Sequence, residues 1–115
     1  MPNDSACIFC RIAAGEVPAQ LVRDTDGVVA FRDLNPQAPT HVLVISRAHY
    51  PDVVALAAAD PQVLAAMVAI GAELAAEESD GQFRLVFNTG AEAGQSVFHV
   101  HGHVLGGRAL HWPPG

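Results

Sequence analysis

Apolar residues along this chain fall into short blocks whose period changes from block to block. Between Cys7 and Ala14, the residues Ile8, Phe9, Ile12 and Ala13 fit one face of a helix, and Gly15 supplies a stop. Residues 21–23 and 28–31 read as strands flanking Asp24-Thr25-Asp26-Gly27, where an Asp-Gly pair predicts a hairpin turn. The two prolines of Asn35-Pro36-Gln37-Ala38-Pro39 forbid regular pairing, so this stretch is a loop. Residues 41–45 then read as a largely buried strand.

Asp60-Pro61 opens the clearest helix. Asp60 can cap free backbone N–H groups, and Pro61 suits the first helical position. Val63, Leu64, Met67, Ile70 and Leu74 follow at helical spacing on one face. Residues 77–81, Glu-Glu-Ser-Asp-Gly, end it, although acids in a last turn oppose the helix dipole. Residues 83–88 and 97–105 read as two more strands, joined by a glycine-bearing loop over 89–96. The sum is one α+β domain over residues 1–115. It has about five mostly antiparallel strands, one long helix and a short N-terminal helix.

Composition narrows the partners. At 115 residues and half apolar, the chain can bury one core and is not disordered. The net charge is −6, and the 6 basic residues are arginines scattered singly. No basic patch exists to neutralise a run of phosphates, so a nucleic-acid partner is not expected. The apolar stretch 53–76 is mostly alanine and is broken by Asp60-Pro61, so it does not read as a membrane span. The start, Met1-Pro2-Asn3-Asp4-Ser5, has neither a positive end nor an apolar run, and a cytoplasmic protein is expected. The two cysteines, Cys7 and Cys10, lie three apart; without export, metal binding or redox chemistry is favoured over a disulfide.

The chemistry concentrates in His99-Val100-His101-Gly102-His103. Alternate residues of a strand share a face roughly 6–7 Å apart, so the three imidazoles would line one side. Phe98, Val100 and Val104 would form the apolar backing on the other. Histidine titrates near neutrality and serves as nucleophile, acid or base without an extreme shift. His-x-His also binds zinc. Spacing alone divides evenly between a metal site and a site that attacks phosphorus.

Taken with its surroundings, this stretch resembles the histidine triad (HIT) superfamily, in its Hint branch of nucleoside phosphoramidate hydrolases. The motif His-φ-His-φ-His-φ-φ, with φ apolar, reads here His99-Val100-His101-Gly102-His103-Val104-Leu105. Cys7-Ile8-Phe9-Cys10, the run from Asp33-Leu34-Asn35-Pro36 to His41, Asn88, Gly94-Gln95-Ser96-Val97 and the ending His111-Trp112-Pro113-Pro114-Gly115 match as well. Gly102 departs from the motif: glycine weakens a strand and packs nothing on the far face.

The resemblance implies roles. His101 would attack the α-phosphorus of a purine nucleotide, displace an amine and form a nucleotidyl-histidine that water hydrolyses. His103, Asn88, Gln95 and Ser96 would meet the phosphate, with Ser96 also assisting the leaving group. His41 would support the triad from the neighbouring strand, and Asp33 would accept from the ribose hydroxyls. Ile8, Phe9, Phe31 and Leu34 would form the purine slot. Cys7, Cys10, His49 and His99 would hold a structural zinc, which the chemical step itself does not require. Without the resemblance, Asp33 is a turn residue, Ile8, Phe9, Phe31 and Leu34 are core, Asn88 and Ser96 satisfy loop backbone groups, and His41 is structural. Two other functions compete: cleavage of dinucleoside polyphosphates, and a zinc-stabilised nucleotide-binding module with incidental catalysis. A homodimer is implied, pairing through the long helix, where Ala65, Ala66, Ala69 and Ala72 permit close approach, and through a neighbouring strand. Trp112 would reach towards the partner's site.

Overall fold

The computed structural model describes residues 3–115, so part of the stretch bearing on a secretory signal, Met1-Pro2, lies outside the described residues. The elements run α1 (Ile8–Ala13), β1 (Leu21–Asp24), β2 (Val28–Arg32), β3 (Thr40–Ser46), α2 (Val53–Ala59), α3 (Pro61–Glu78), β4 (Arg84–Phe87), a 3-10 turn (Ala91–Ala93) and β5 (His101–Gly106). The strands form one five-stranded sheet in the order β1-β2-β3-β5-β4, antiparallel at every junction. This is the expected α+β architecture.

Period-two alternation separates two cores. Val28, Ala30, Val42, Val44 and Val104 face the long helix, where Met67, Ile70 and Leu74 complete the larger cluster. Each buried valine, leucine, isoleucine or methionine of this cluster stabilises the fold by about 1.5–3 kcal/mol. Val29, Phe31, Leu43 and Ile45 face the other way and are covered by Phe9, Ile12 and Ala13 of α1. His101 and His103 pair with Ile45 and Leu43 across the β3–β5 ladder, so both histidines belong to the α1 side. The short N-terminal helix therefore roofs the face that carries His101 and His103.

The helix α3 starts as expected: the Asp60 side chain accepts from Val63 N–H, and Pro61 is the first helical residue. Its acidic end is compensated by the sheet. Arg32 grips both carboxylate oxygens of Glu78 at 2.7 Å, and Arg23 reaches Glu73 and Glu77 at 3.4 and 2.5 Å. Asp80 and Gly81, with φ of 54° and 77°, then turn the chain out of the helix.

Several expectations are corrected. The stretch before Asp60 forms a further helix, α2, whose first turn is capped by Asp52 accepting from Ala55 N–H. The hairpin between β1 and β2 forms, but Asp26 and Gly27 are not in the left-handed region. Thr25 closes it instead: Thr25 N–H donates to Val28 C=O at 2.9 Å, while Val28 N–H donates to Thr25 Oγ1 at 3.1 Å. The last strand begins at His101 rather than residue 97, and Phe98 is 54 % exposed instead of backing the sheet. Gly102 does not leave its far face empty. A Cβ there would lie 2.9 Å from both Leu85 and Phe87, which already fill the space from β4. No helix among the described residues is long and apolar enough to cross a membrane.

Candidate active site

Three backbone-anchored hydrogen bonds decide which nitrogen of each buried imidazole carries a proton. His101 Nδ1–H donates to the carbonyl of His99 at 2.8 Å. Its Nε2 is then a lone pair, the form in which imidazole is a nucleophile. Gln37 N–H donates to His41 Nδ1 at 3.0 Å, so His41 carries its proton on Nε2. That proton is given to His103 Nδ1 at 2.9 Å, and Asp33 Oδ2 lies 3.4 Å from His41 Nε2. His103 is left with an Nε2–H donor. The relay from Gln37 through His41 to His103 thus ends as a donor beside the His101 lone pair, the two rings 5.2 Å apart.

Burial keeps this relay neutral. It pushes His103 down to about 4, with His101 and His41 nearby adding to the effect, and it lowers His41 in spite of Asp33. His103 is therefore a hydrogen-bond donor and not a cation at neutral pH. His101 is 8 % exposed, with Phe9 edge-on against it at 5.0 Å between centroids.

His99 faces elsewhere. Its ring is fully buried, Nε2–H donates to Ser46 C=O at 2.7 Å, and Nδ1 is a lone pair directed at the cysteines. That nitrogen lies 3.3 Å from Cys7 Sγ, 3.4 Å from Cys10 Sγ and 3.3 Å from His49 Nδ1, while Cys10 Sγ and His49 Nδ1 are 3.3 Å apart. Tetrahedral zinc with two sulfur and two nitrogen ligands has edges of roughly 3.3–3.8 Å. The four residues fit such an ion. Cys10 N–H points at Cys7 Sγ and Asp4 N–H at Cys10 Sγ, the kind of support a thiolate ligand receives. Burial raises the Cys10 thiol above its ordinary value, and a cation would reverse that preference. Asp33, His41 and His103 also converge, but His41 carries its proton on the nitrogen that would have to bind a metal. That second group is a hydrogen-bond relay.

The HIT-domain family profile matches residues 14–110. The chain belongs to the HIT family. It is 48% identical over 109 residues to an uncharacterized HIT-like protein of Synechocystis, covering 94% of this chain and 96% of that one. It is 42% identical over 105 residues to the purine nucleoside phosphoramidase of Escherichia coli, covering 90% of this chain and 88% of that protein. It is 41% identical over 118 residues to a 14 kDa zinc-binding protein of Zea mays, covering 98% and 91% of the two chains. A crystal structure of a HIT family hydrolase from Legionella pneumophila superposes with a TM-score of 0.90 at 43% identity, over 95% of this chain and 99% of that one. These relatives place the chain in a Hint-like branch.

In this HIT chain the remaining candidate residues separate into lining and bracing groups. Ile8, Phe31 and Leu34 line a largely apolar slot of about 130 Å³ together with Ile12, Val17 and Gln20. Phe9 is not on its wall; it stands behind, between Phe31 and His101. Ser96 lies on an open cleft of about 510 Å³ shared with Cys7, Ile8 and His49. Gln95 is buried, and its amide is fully engaged with backbone groups: Gly90 N–H donates to it, and it donates to Pro51 and Val97 carbonyls. Its side chain thus braces the loop that presents Ser96 and does not face a ligand. Asn88 sits under that loop, with its amide 3.6 Å from where a Cβ on Gly94 would be. Asp33 Oδ1 accepts from Asn35 N–H at 2.8 Å, leaving Oδ2 towards His41. Sequence reasoning missed the backbone partners that fix the tautomers, Gln37 N–H and the Ser46 and His99 carbonyls, and the Tyr50 carbonyl that accepts from Val100 N–H at 2.7 Å. The partners are backbone groups, which carry no side-chain signature, and those of Ser46 and Tyr50 come from a segment distant in sequence.

Proposed function

We propose that the protein hydrolyses the phosphorus–nitrogen bond of purine nucleoside 5′-phosphoramidates, or the acyl-phosphate bond of aminoacyl-adenylates, through a nucleotidyl intermediate on His101. One observation carries this reading. The His101 Nδ1–H···O=C bond to His99, at 2.8 Å, presents the other nitrogen as a lone pair beside a neutral donor.

His101 Nε2 attacks the α-phosphorus and the P–N bond breaks. The departing nitrogen takes the bond's electron pair and a proton, for which the Ser96 hydroxyl offers a route. The His101 ring becomes positively charged while phosphorylated, and its Nδ1–H bond to His99 C=O strengthens in that state. Water then adds to phosphorus, the P–Nε2 bond breaks, and the nucleoside monophosphate leaves. His103 Nε2–H donates to a phosphoryl oxygen throughout. The base occupies the apolar slot, and Asp33 accepts from the ribose hydroxyls. Zinc on Cys7, Cys10, His49 and His99 would cross-link α1 to the residues before β5, outside the reacting atoms.

Adenosine 5′-phosphoramidate, mixed with protein and quenched within one turnover, should leave a nucleotidyl adduct on His101 by mass spectrometry. His101→Ala should form none and should lose turnover by at least about 10³-fold. Equal inertness of both proteins with retained AMP binding would replace the enzyme by a nucleotide-binding module. Pairing of two copies is part of the proposal, supported by the exposed Ala65, Ala69 and Ala72 and by Val68 and Trp112, 43 % and 83 % exposed. A monomer by sedimentation at micromolar concentration would remove it.

A further inference from the structure

His99 holds two positions at once: its ring belongs to the cysteine cluster and its carbonyl sets the tautomer of His101. We infer that the Cys7–Cys10–His49–His99 cluster, with its ion bound, is a positioning device for the nucleophile. The inference rests on His101 being the attacking group.

The sheet does not hold this carbonyl. The β3–β5 ladder ends at the Ile45–His101 pair, so residues 99 and 100 lie beyond regular pairing. Two bonds from the end of β3 and the turn after it keep them in place, His99 Nε2–H to Ser46 C=O and Val100 N–H to Tyr50 C=O, each 2.7 Å. The same turn carries His49, the third ligand candidate. Cys7 and Cys10 bring in α1, and Phe9 between them packs edge-on against both His99 and His101, 5.9 and 5.0 Å between centroids. One ion would join α1, the turn and the approach to β5 at the single residue that orients the nucleophile.

Without the ion, the His99 lone pair faces two thiols at 3.3–3.4 Å, which are weak donors, and the His49 imidazole only at a long 3.3 Å. The ring is then held by one strong hydrogen bond. A carbonyl displaced by under about 1 Å releases the Nδ1–H of His101, because hydrogen bonds weaken steeply with distance and angle. The freed ring can move its proton to Nε2, and that tautomer cannot attack phosphorus. Most of the slot, including Val17, Gln20, Phe31 and Leu34, lies outside α1, so nucleotide affinity should change less than the chemical step slows.

The test compares His49→Ala and His49→Cys with the wild type, each loaded with zinc or with cobalt(II). Cobalt on two sulfurs and two nitrogens absorbs in the visible and reports the ligand set. Nitrogen-15 NMR reports the His101 tautomer directly, without substrate. The His49→Ala protein should lose the tetrahedral cobalt band and move His101 from a single Nδ1–H pattern to an averaged one. Its single-turnover rate of nucleotidyl transfer should fall about 10–100-fold, with AMP affinity within about threefold of wild type. His49→Cys restores four ligands and should recover band, tautomer and rate together. An ion-free His49→Ala protein with an unchanged His101 pattern and rate would overturn the inference. Should that variant not fold, wild type stripped by a chelator gives the same two outcomes by NMR. A wild type that turns over no phosphoramidate removes the function proposed above, and the tautomer comparison then decides this inference on its own.

Discussion

Two histidine clusters lie on either side of His101, and they use the same ring for opposite ends. In Asp33–His41–His103, a backbone N–H from Gln37 occupies one nitrogen, so the chain of rings passes a proton outward and ends in a donor. In Cys7–Cys10–His49–His99, a backbone carbonyl from Ser46 takes the proton of one nitrogen, so the other is a lone pair towards sulfur. The spacing of the three histidines is identical along the chain. The comparison teaches that a backbone group on a neighbouring segment, donor or acceptor, decides whether an imidazole becomes a proton donor or a ligand.

The sharpest way to break this contrast is His103→Ala. It should lower kcat by about 10²–10³-fold through loss of the phosphoryl donor while bound zinc, by metal analysis, stays at the wild-type level. A loss of metal in that variant would show that the clusters are not separate. The next effect is on stability. Gly102→Leu drives a side chain into the space of Leu85 and Phe87, and should cost about 2–3 kcal/mol in denaturant unfolding. Unchanged stability would mean that the far face is open after all.

Acid probes the relay. His103 is pushed down to about 4 and His41 is lowered, so the folded state holds both neutral where an unfolded chain would protonate them. Their contribution is fully present above about pH 6.5 and is lost as pH falls from there towards 4. The loss should be on the order of 2 kcal/mol, and His103→Gln should make it shallower without removing it, because burial pushes His99 down to about 4 as well; parallel pH curves for the two proteins would contradict this. The smallest effect belongs to Arg32→Gln. Its ion pair with Glu78 holds that carboxyl below the usual range, yet both side chains are partly exposed, so the change should stay under about 1 kcal/mol. A larger loss, or a weakened nucleotide affinity, would show that the pair braces the neighbouring Asp33.

Most of the fold was legible because β2 and β3 are continuous apolar runs set between turn and loop signals, and α3 carries its cap, its Pro61 and its apolar stripe in sequence. The candidate histidines were legible from their spacing at every second position. Helix α2 was not, because its run of valine and alanine has no stripe, although Asp52 offered the capping signal. The start of β5 was misplaced because a period-two pattern continues through Val97, Phe98 and His99 while the chain leaves the sheet for contacts with Ser46 and Tyr50. Gln95 has the composition of a ligand-binding residue, and only the three backbone partners reveal a brace.

Gly102 carries a lesson about what a motif records. The alternation around the histidines asks for occupied volume behind the strand, and Leu85 and Phe87 supply it from next door. Positions 85, 87 and 102 therefore form a single tolerance unit: enlarging one demands trimming another. Redesign of this strand should vary the three as a set, since a lone exchange at any of them would be judged unfit for reasons unrelated to chemistry.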